Sequence, residues 1–499
     1  MIINRQKTAG AAALLAILII AAYLRLSNLD AIEFKADEAR GTIKALNIVH
    51  GTELPLVGGM LWGFQAGPYS YYILAIPAFF TSDPRLITGF LGLLNIFAVY
   101  MCFRIGHDFF SPRVGYISAA LYAVSPWAVL FSRKIWGADF QAPLVTVFFY
   151  FLLMWAVRRK SIYFPIAVAS LVFALQVHFF PLPFVFVFFI IWATLRPPIS
   201  ARSILVSAVV SLLIVAPYLY NEYNLSFKNI RAMTGSHSSF QSSNPNYAQS
   251  VLSLAWSVSA GSSLRGNLGD IWDKTGYSPW VVYAISLLLL LAVPYAAISA
   301  FTLSRGTLTP ILKAKPQTLI ILLWFLAPPI TLILREGSLF PHYLSGIFPS
   351  MFLLIGILLD FAATRFKKYH GEKIIATAII LLVAYQAHTM TNILKAISEN
   401  GGATADYGPT LKSQMDAVSY MIQYSQGRPF TMKSLNNPSQ YPFGMQYLFQ
   451  WYGITQHAND TKSSINYLIL YPKSKSYVQY EVLPHSDFGL ITVYVEDNA

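Results

Sequence analysis

The sequence predicts an all-α polytopic membrane protein of about eleven transmembrane helices, followed by a small extracytoplasmic α/β domain at the C-terminal end. Three observations predict it. Only 11% of the 499 residues are charged and 55% are hydrophobic, whereas a soluble globular chain carries about 25% charged residues. Apolar runs long enough to cross a bilayer recur from residue 8 to residue 394. Beyond that point the runs stop, and acidic and basic residues nearly cancel, so the net charge of +13 belongs to the membrane part.

The runs lie near 8–25, 85–103, 114–131, 139–157, 161–178, 181–195, 201–220, 279–303, 317–334, 343–362 and 374–394. Each is read as a helix, because lipid offers no partner for an unsatisfied backbone. The first follows Arg5 and Lys7, and Tyr23-Leu24-Arg25 is no small-residue cleavage site, so it reads as an uncleaved anchor. The run Tyr69–Phe80 is too short to span, follows Pro68 and contains Pro77, so it is expected to lie in the outer interface.

Positive charge sets the orientation. With the N-terminus in the cytoplasm and Tyr69–Phe80 not crossing, the inside loops hold Arg104 and Arg113, Arg158-Arg159-Lys160, Arg196 and Arg202, Arg305 with Lys313 and Lys315, and Arg365 to Lys373. Short cytoplasmic loops are rich in Lys and Arg; one further crossing would put every cluster outside. Residues 1–394 thus form a membrane domain with outer loops at 26–84 and 221–278, and residues 395–499 form the outer domain. The expected location is the inner or plasma membrane. Such a basic excess marks cytoplasmic loops and not nucleic-acid binding. A single cysteine, Cys102, excludes an internal disulfide and a thiolate metal site.

In the tail, helical spacing covers Leu411–Ser425 and Phe443–Tyr452, while Ile465–Tyr471 and Leu490–Val495 read as strands. In the 221–278 loop, Tyr247–Ser259 has one apolar side and suits a helix lying on the interface.

The candidate chemistry begins at Phe34-Lys35-Ala36-Asp37-Glu38-Ala39-Arg40, where two adjacent carboxylates follow the first span. Asp37 and Glu38 also suit the first turn of a helix running to His50, and a capping acid can be catalytic as well. An aromatic stretch follows, with Trp62, Phe64, Tyr69, Tyr71 and Tyr72 forming a broad apolar-aromatic platform. Candidate cations on the same face are Arg133, Lys134, Arg335 and His342; long basic side chains at helix ends also snorkel to the interface. Asp139 opens the next span, as a helix cap or as a further acid. Glu222 closes the span before the long outer loop. His178 sits at an outer turn, where a structural hydrogen-bonding role competes with substrate contact. A carboxylate and a histidine together suit a divalent metal, but Asp37, Asp139, Glu222 and His178 are too scattered in sequence to define such a site.

The acidic pair in a long first outer loop, then Gly67-Pro68-Tyr69 with Tyr71 and Tyr72, then Ser125-Pro126, and Ser132-Arg133 ahead of Asp139, together resemble the GT-C integral-membrane glycosyltransferases. The likeness is strongest to bacterial relatives of protein O-mannosyltransferases and of the lipid A aminoarabinose transferase. It covers about residues 8–220 well, the remaining spans loosely, and the C-terminal domain not at all.

The resemblance implies inverting transfer of a sugar from a polyprenyl-phosphate donor to a hydroxyl of a lipid, glycan or protein, on the outer face. It maps the catalytic acid onto Asp37, with Glu38 beside it and Asp139 as a further acid. Arg133, Lys134, Arg335 and His342 are then expected to bind the donor phosphate, with Tyr69, Tyr71, Tyr72, His178 and Glu222 lining the substrates. His342 departs from the Arg-Tyr often found at its position. Some members use a divalent metal, and the sequence leaves that open for this chain.

Two other classes fit the composition. A secondary transporter or lipid flippase would place ionisable groups near the bilayer midplane, whereas the acids here gather at span ends. A lipid-linked polysaccharide ligase or polymerase would carry its large functional loop late in the chain, not between the first two spans.

Overall fold

The computed structural model describes residues 2–61, 64–235, 245–300, 315–335, 337–435, 441–454, 465–472, 480 and 482–497. Trp62, Arg305 and Lys313 lie outside them, as does the side chain of Phe64.

Helix α1 (Ile2–Leu26) leads into α2 (Ala36–Val49), a two-stranded ribbon of β1 (Met60–Leu61) and β2 (Phe64–Gln65), and α3 (Tyr69–Ala78). Then come α4 (Pro84–Phe109), α5 (Pro112–Val124), α6 (Pro126–Leu130), α7 (Gln141–Ala156), α8 (Tyr163–Val177), α9 (Leu182–Leu195) and α10 (Ala201–Asn224). The long outer loop holds α11 (Lys228–Gly235), α12 (Tyr247–Ala260) and α13 (Leu264–Leu268). Helices α14 (Pro279–Ala300), α15 (Pro316–Arg335), α16 (Phe348–Arg365) and α17 (Gly371–Asn400) complete the membrane part.

Every predicted span is a helix. Among the described residues eight are long and apolar enough to cross a membrane. The other three predicted spans are the shorter α8 and α9, and the α5–α6 pair, which breaks where Ser125 precedes Pro126 because the residue before a proline is driven out of the helical region. Helix α3 has ten residues, so it is about 15 Å long, half of a hydrocarbon core.

Local chemistry sets the helix starts. Asp83 accepts the Arg85 N–H at 2.9 Å ahead of Pro84, and Ser111 accepts the Val114 N–H at 3.2 Å ahead of Pro112. Between α4 and α5 the backbones touch: a Cβ on Gly106 would stand 2.6 Å from the Gly115 nitrogen.

The membrane helices have two chemically distinct ends. At one, Arg113 pairs with Asp360 and Glu372, Arg104 pairs with Asp108, and Arg159 donates to the carbonyls of Leu195 and Arg196. At the other lie the first loop, the long outer loop and the C-terminal region.

That region is a mixed sheet with helices. After β3 (Gly402–Ala403) and β4 (Gly408–Pro409) come α18 (Leu411–Ser425), β5 (Phe430–Ser434), α19 (Tyr441–Trp451), β6 (Ile465–Leu470), β7 (His485–Phe488) and β8 (Ile491–Asp497). The strand order is β5-β6-β8-β7, with β5 parallel to β6 and the other pairs antiparallel. Both helices and the two strands read from the sequence are present. Strand β5 escapes pattern reading because only Phe430 and Met432 are apolar and its buried fifth position is Ser434.

This domain does not hang free of the first loop. Ile32, Phe34 and Ala39 share one buried core with Leu411, Met421, Met445 and Tyr467. The Leu411 N–H donates to Ile32 O at 2.9 Å, Gln414 Nε2 to Phe34 O at 2.6 Å, and Tyr407 Oη to Ala31 O at 2.6 Å.

Gly106→Val would wedge a branched side chain between two touching backbones. The expected result is a fall in Tm of several degrees in detergent, from a cost of about 1–3 kcal/mol for overpacking; thermal unfolding followed by circular dichroism checks it.

Candidate active site

The first loop separates its two adjacent acids. Lys35 is extended and precedes α2; Glu38 Oε2 turns back to accept the Lys35 N–H at 2.9 Å, so Glu38 is buried as the helix cap. Successive residues on a helix point about 100° apart. Asp37 therefore faces outward, its side chain 56% exposed, and accepts from Arg40 Nη1 at 2.9 Å, one turn on. A carboxylate in this turn is also favoured by the helix dipole.

Asp37 looks into a cavity of about 540 Å³. Its walls come from the first loop (Glu33 to Arg40), from Trp127, Phe131, Lys134 and Trp136, from Asn267 of the long outer loop, from Phe340 to His342, and from Ala405 and Asp406 of the C-terminal region. On one wall Glu33 is shared by two lysines: it pairs with Lys35, and Oε2 lies 3.3 Å from Lys134 Nζ. Lys134 Nζ also stands 4.6 Å from the centroid of the Trp136 ring. Lys35 donates in addition to the Asp406 carbonyl.

The charges respond to this crowding. Burial alone would raise the Glu33 carboxyl, but Lys134 and Lys35 outweigh it and hold the group below its usual range. Burial would likewise discharge Lys134, yet the carboxylates of Glu33, Asp139 and Glu38 keep it protonated and push it up. Glu38 goes the other way: burial, with Glu33 adding to it, raises its carboxyl to about 7 against the opposing pull of Lys134 and Lys35.

A smaller chamber of about 150 Å³ lies beside the first. Asp37, Arg40 and Trp136 border both. The rest of its lining includes Gly59, Ser70, Tyr71, Ile135, Gly137 and His178.

Of the sequence candidates, Asp37, Glu38, Lys134 and His342 come together in the larger cavity, where His342 meets Trp136 edge-on at 4.3 Å. Tyr71 and His178 meet Asp37 in the smaller one. The others line neither, and each has a physical reason. Arg133 is buried and donates to the carbonyls of Leu24 at 3.1 Å and Asn28 at 2.9 Å, which holds the end of α1 instead of facing a phosphate. Tyr72 donates to Pro55 O at 2.5 Å, and Tyr69 packs edge-on against Tyr72 and Phe173. Glu222 accepts from Asn229 Nδ2 at 2.6 Å and the Ile230 N–H at 3.1 Å, closing the turn between α10 and α11. Arg335 ends α15 outside both linings. Asp139 is buried behind the cavity, and neither carboxyl oxygen has a hydrogen-bond partner among the described residues.

Sequence reasoning missed Glu33, Lys35, Arg40, Asn267 and Asp406. Arg40, three residues after Asp37, was detectable as a helical ion pair. Asn267 and Asp406 carry no local signal; only folding brings them to the cavity. Among the described residues no group of three or more His, Cys, Asp or Glu is placed to hold a metal ion.

With this geometry established, the fold finds its counterparts. The chain superposes on the solved structure of ArnT from Cupriavidus metallidurans bound to undecaprenyl phosphate with a TM-score of 0.57, at 13% identity, over 99% of this chain and 98% of that one. The apo form of the same protein gives 0.58 at 12% identity, over 100% and 99%. This chain has the GT-C fold of ArnT. The ArnT likeness runs through the C-terminal region, which the sequence resemblance had left out; at such identity only the arrangement of elements carries it. The archaeal oligosaccharyltransferase AglB from Archaeoglobus fulgidus matches less closely, with a TM-score of 0.49 at 14% identity, over 92% of this chain and 65% of that one. No protein-family model and no curated protein matches the sequence.

Two outcomes follow. Arg133→Met should lower Tm, because two carbonyls lose a buried charged donor, at a cost of about 1.5–3 kcal/mol; thermal unfolding in detergent measures it. Glu38 favours folding in its protonated form. Its contribution is full below the unfolded carboxyl pKa and is lost as pH rises through about 7. Tm should therefore fall over that window in the wild type and fall less in Glu38→Gln.

Proposed function

We propose that this protein is an inverting glycosyltransferase that moves a sugar from a polyprenyl-phosphate donor to an acceptor hydroxyl at the outer face of the cell membrane, with its N-terminus in the cytoplasm. The observation that carries the reading is the exposed Asp37 carboxylate in a charged cavity at the ends of the membrane helices. The ArnT fold supports it, since the ArnT complex holds undecaprenyl phosphate.

In this reading the acceptor hydroxyl gives its proton to Asp37 as its oxygen attacks the anomeric carbon. Arg40, paired with one Asp37 oxygen, fixes the orientation of that carboxylate. The bond to the phosphate oxygen breaks on the opposite face, which inverts the configuration. The leaving phosphate gains charge, and Lys35, Arg40 and Lys134 are the cations of the same cavity that can meet it. Each lysine ammonium carries three donors, so its pairing with Glu33 leaves protons for a phosphate oxygen. Glu33 keeps Lys134 charged in a buried place.

The test is turnover of purified protein with a panel of synthetic undecaprenyl-phosphate-linked sugars, reading release of undecaprenyl phosphate. Asp37→Asn should reduce it about 100-fold or more while leaving folding intact. Lys134→Met should raise the donor KM about tenfold, as loss of a charge-assisted contact does. Wild-type turnover by Asp37→Asn would sink the assignment.

A further inference from the structure

Asp37, Arg40 and Trp136 form a partition: each lines both the larger cavity and the smaller chamber. The two sides differ in chemistry. Lys35 and Lys134 stand only on the larger side, so an anionic phosphate belongs there. The smaller side has Arg40 as its one cation among the described residues, and apolar walls from Leu74, Ile135 and Val177.

Into this chamber His178 brings an oriented donor. Its Nδ1 lies 3.4 Å from the Phe180 backbone nitrogen and accepts that N–H. In a neutral imidazole the proton then resides on Nε2, which becomes a hydrogen-bond donor. The space is maintained by glycines. A Cβ on Gly137 would stand 3.5 Å from His178 Cδ2 and 3.7 Å from Ser70 Cβ, inside the chamber; one on Gly59 would meet only the Tyr71 hydroxyl, at 3.9 Å. At about 150 Å³ the chamber is less than a third of the larger cavity's 540 Å³. That suits a short hydroxyl-bearing stem and not a lipid-linked phosphosugar.

We propose that the smaller chamber is the acceptor subsite and takes an alcohol on a short carbon stem, its oxygen accepting from His178 Nε2 and its proton directed to Asp37. The inference rests on the glycosyl-transfer reading for its chemistry. The acceptor oxygen forms its bond to the anomeric carbon, the carbon–oxygen bond to phosphate breaks with its electron pair leaving on the polyprenyl phosphate, and the hydroxyl proton ends on the Asp37 carboxylate. With the two chambers sharing the Asp37 wall, nucleophile and leaving group enter from different cavities and can meet opposite faces of the sugar, as an in-line displacement needs. His178 acts here as a positioning and specificity-determining residue.

Two measurements test it. In the first, fluorine NMR follows line broadening of trifluoroethanol on the purified protein without donor. Broadening by the wild type should be lost in Gly137→Val and His178→Leu and recovered in His178→Gln, whose amide restores a donor. Gly59→Val narrows the same chamber from an open side and should also lose it, which guards against misfolding of the Gly137 variant. In the second, the donor that turns over is supplied with n-propanol, and the ratio of propyl glycoside to free sugar is read by mass spectrometry. His178→Leu should lower that ratio about fivefold, as loss of one hydrogen bond does, and His178→Gln should restore it. Equal broadening in all variants, or an unchanged product ratio, overturns the proposal. Variant-dependent broadening without turnover of any donor would instead count against the glycosyl-transfer reading alone.

Discussion

Glu33 ties together the loops at one end of the helix bundle. Its one carboxylate faces both Lys35 of its own loop and Lys134 of the loop before α7, and Lys35 continues to the Asp406 carbonyl of the C-terminal region. Three segments distant in sequence are tied at one point. The interaction is strong because it is buried: an ammonium there without a carboxylate would lose its proton, and a carboxylate without ammoniums would gain one. Pairing keeps the charges of Glu33 and Lys134 in place beside the cavity.

Around that point the fold divides tasks between adjacent residues. Glu38 closes the helix and sits buried; Asp37, turned about 100° away, stays exposed with one oxygen paired to Arg40. Arg133 and Lys134 are divided in the same way. The first holds the carbonyls where α1 ends, and the second stands over the Trp136 ring at the cavity wall. In both pairs one side chain builds the wall and its neighbour is presented from it.

The C-terminal region is part of this wall. Its helix α18 completes a core begun by Ile32 and Phe34, and its turn at Ala405 and Asp406 closes the cavity rim. Asn267 comes from the long outer loop, where Asp270 receives Thr404 Oγ1 at 2.7 Å and so docks the loop on the same turn. The cavity is thus an assembly of loop segments on a membrane scaffold, and that scaffold has the fold of ArnT.

The sequence by itself determined which apolar runs are helices, that α3 is too short to span, that basic residues gather at one end of the bundle, and that Asp37 and Glu38 open a helix. These follow from local rules: apolar length against bilayer thickness, charge placement in short loops, and the preference of carboxylates for helix starts. Arg40 was within reach of the same rules, three residues from Asp37. Only the tertiary structure decided which of Arg133 and Lys134 faces the cavity, that Glu222, Tyr69 and Tyr72 serve packing and turns, and that Asn267 and Asp406 join the rim. Those outcomes depend on side-chain direction at loop residues, which no periodicity fixes, and on contacts between segments hundreds of residues apart. The burial that sets Glu38 and Lys134 apart in proton affinity exists only once those segments have met.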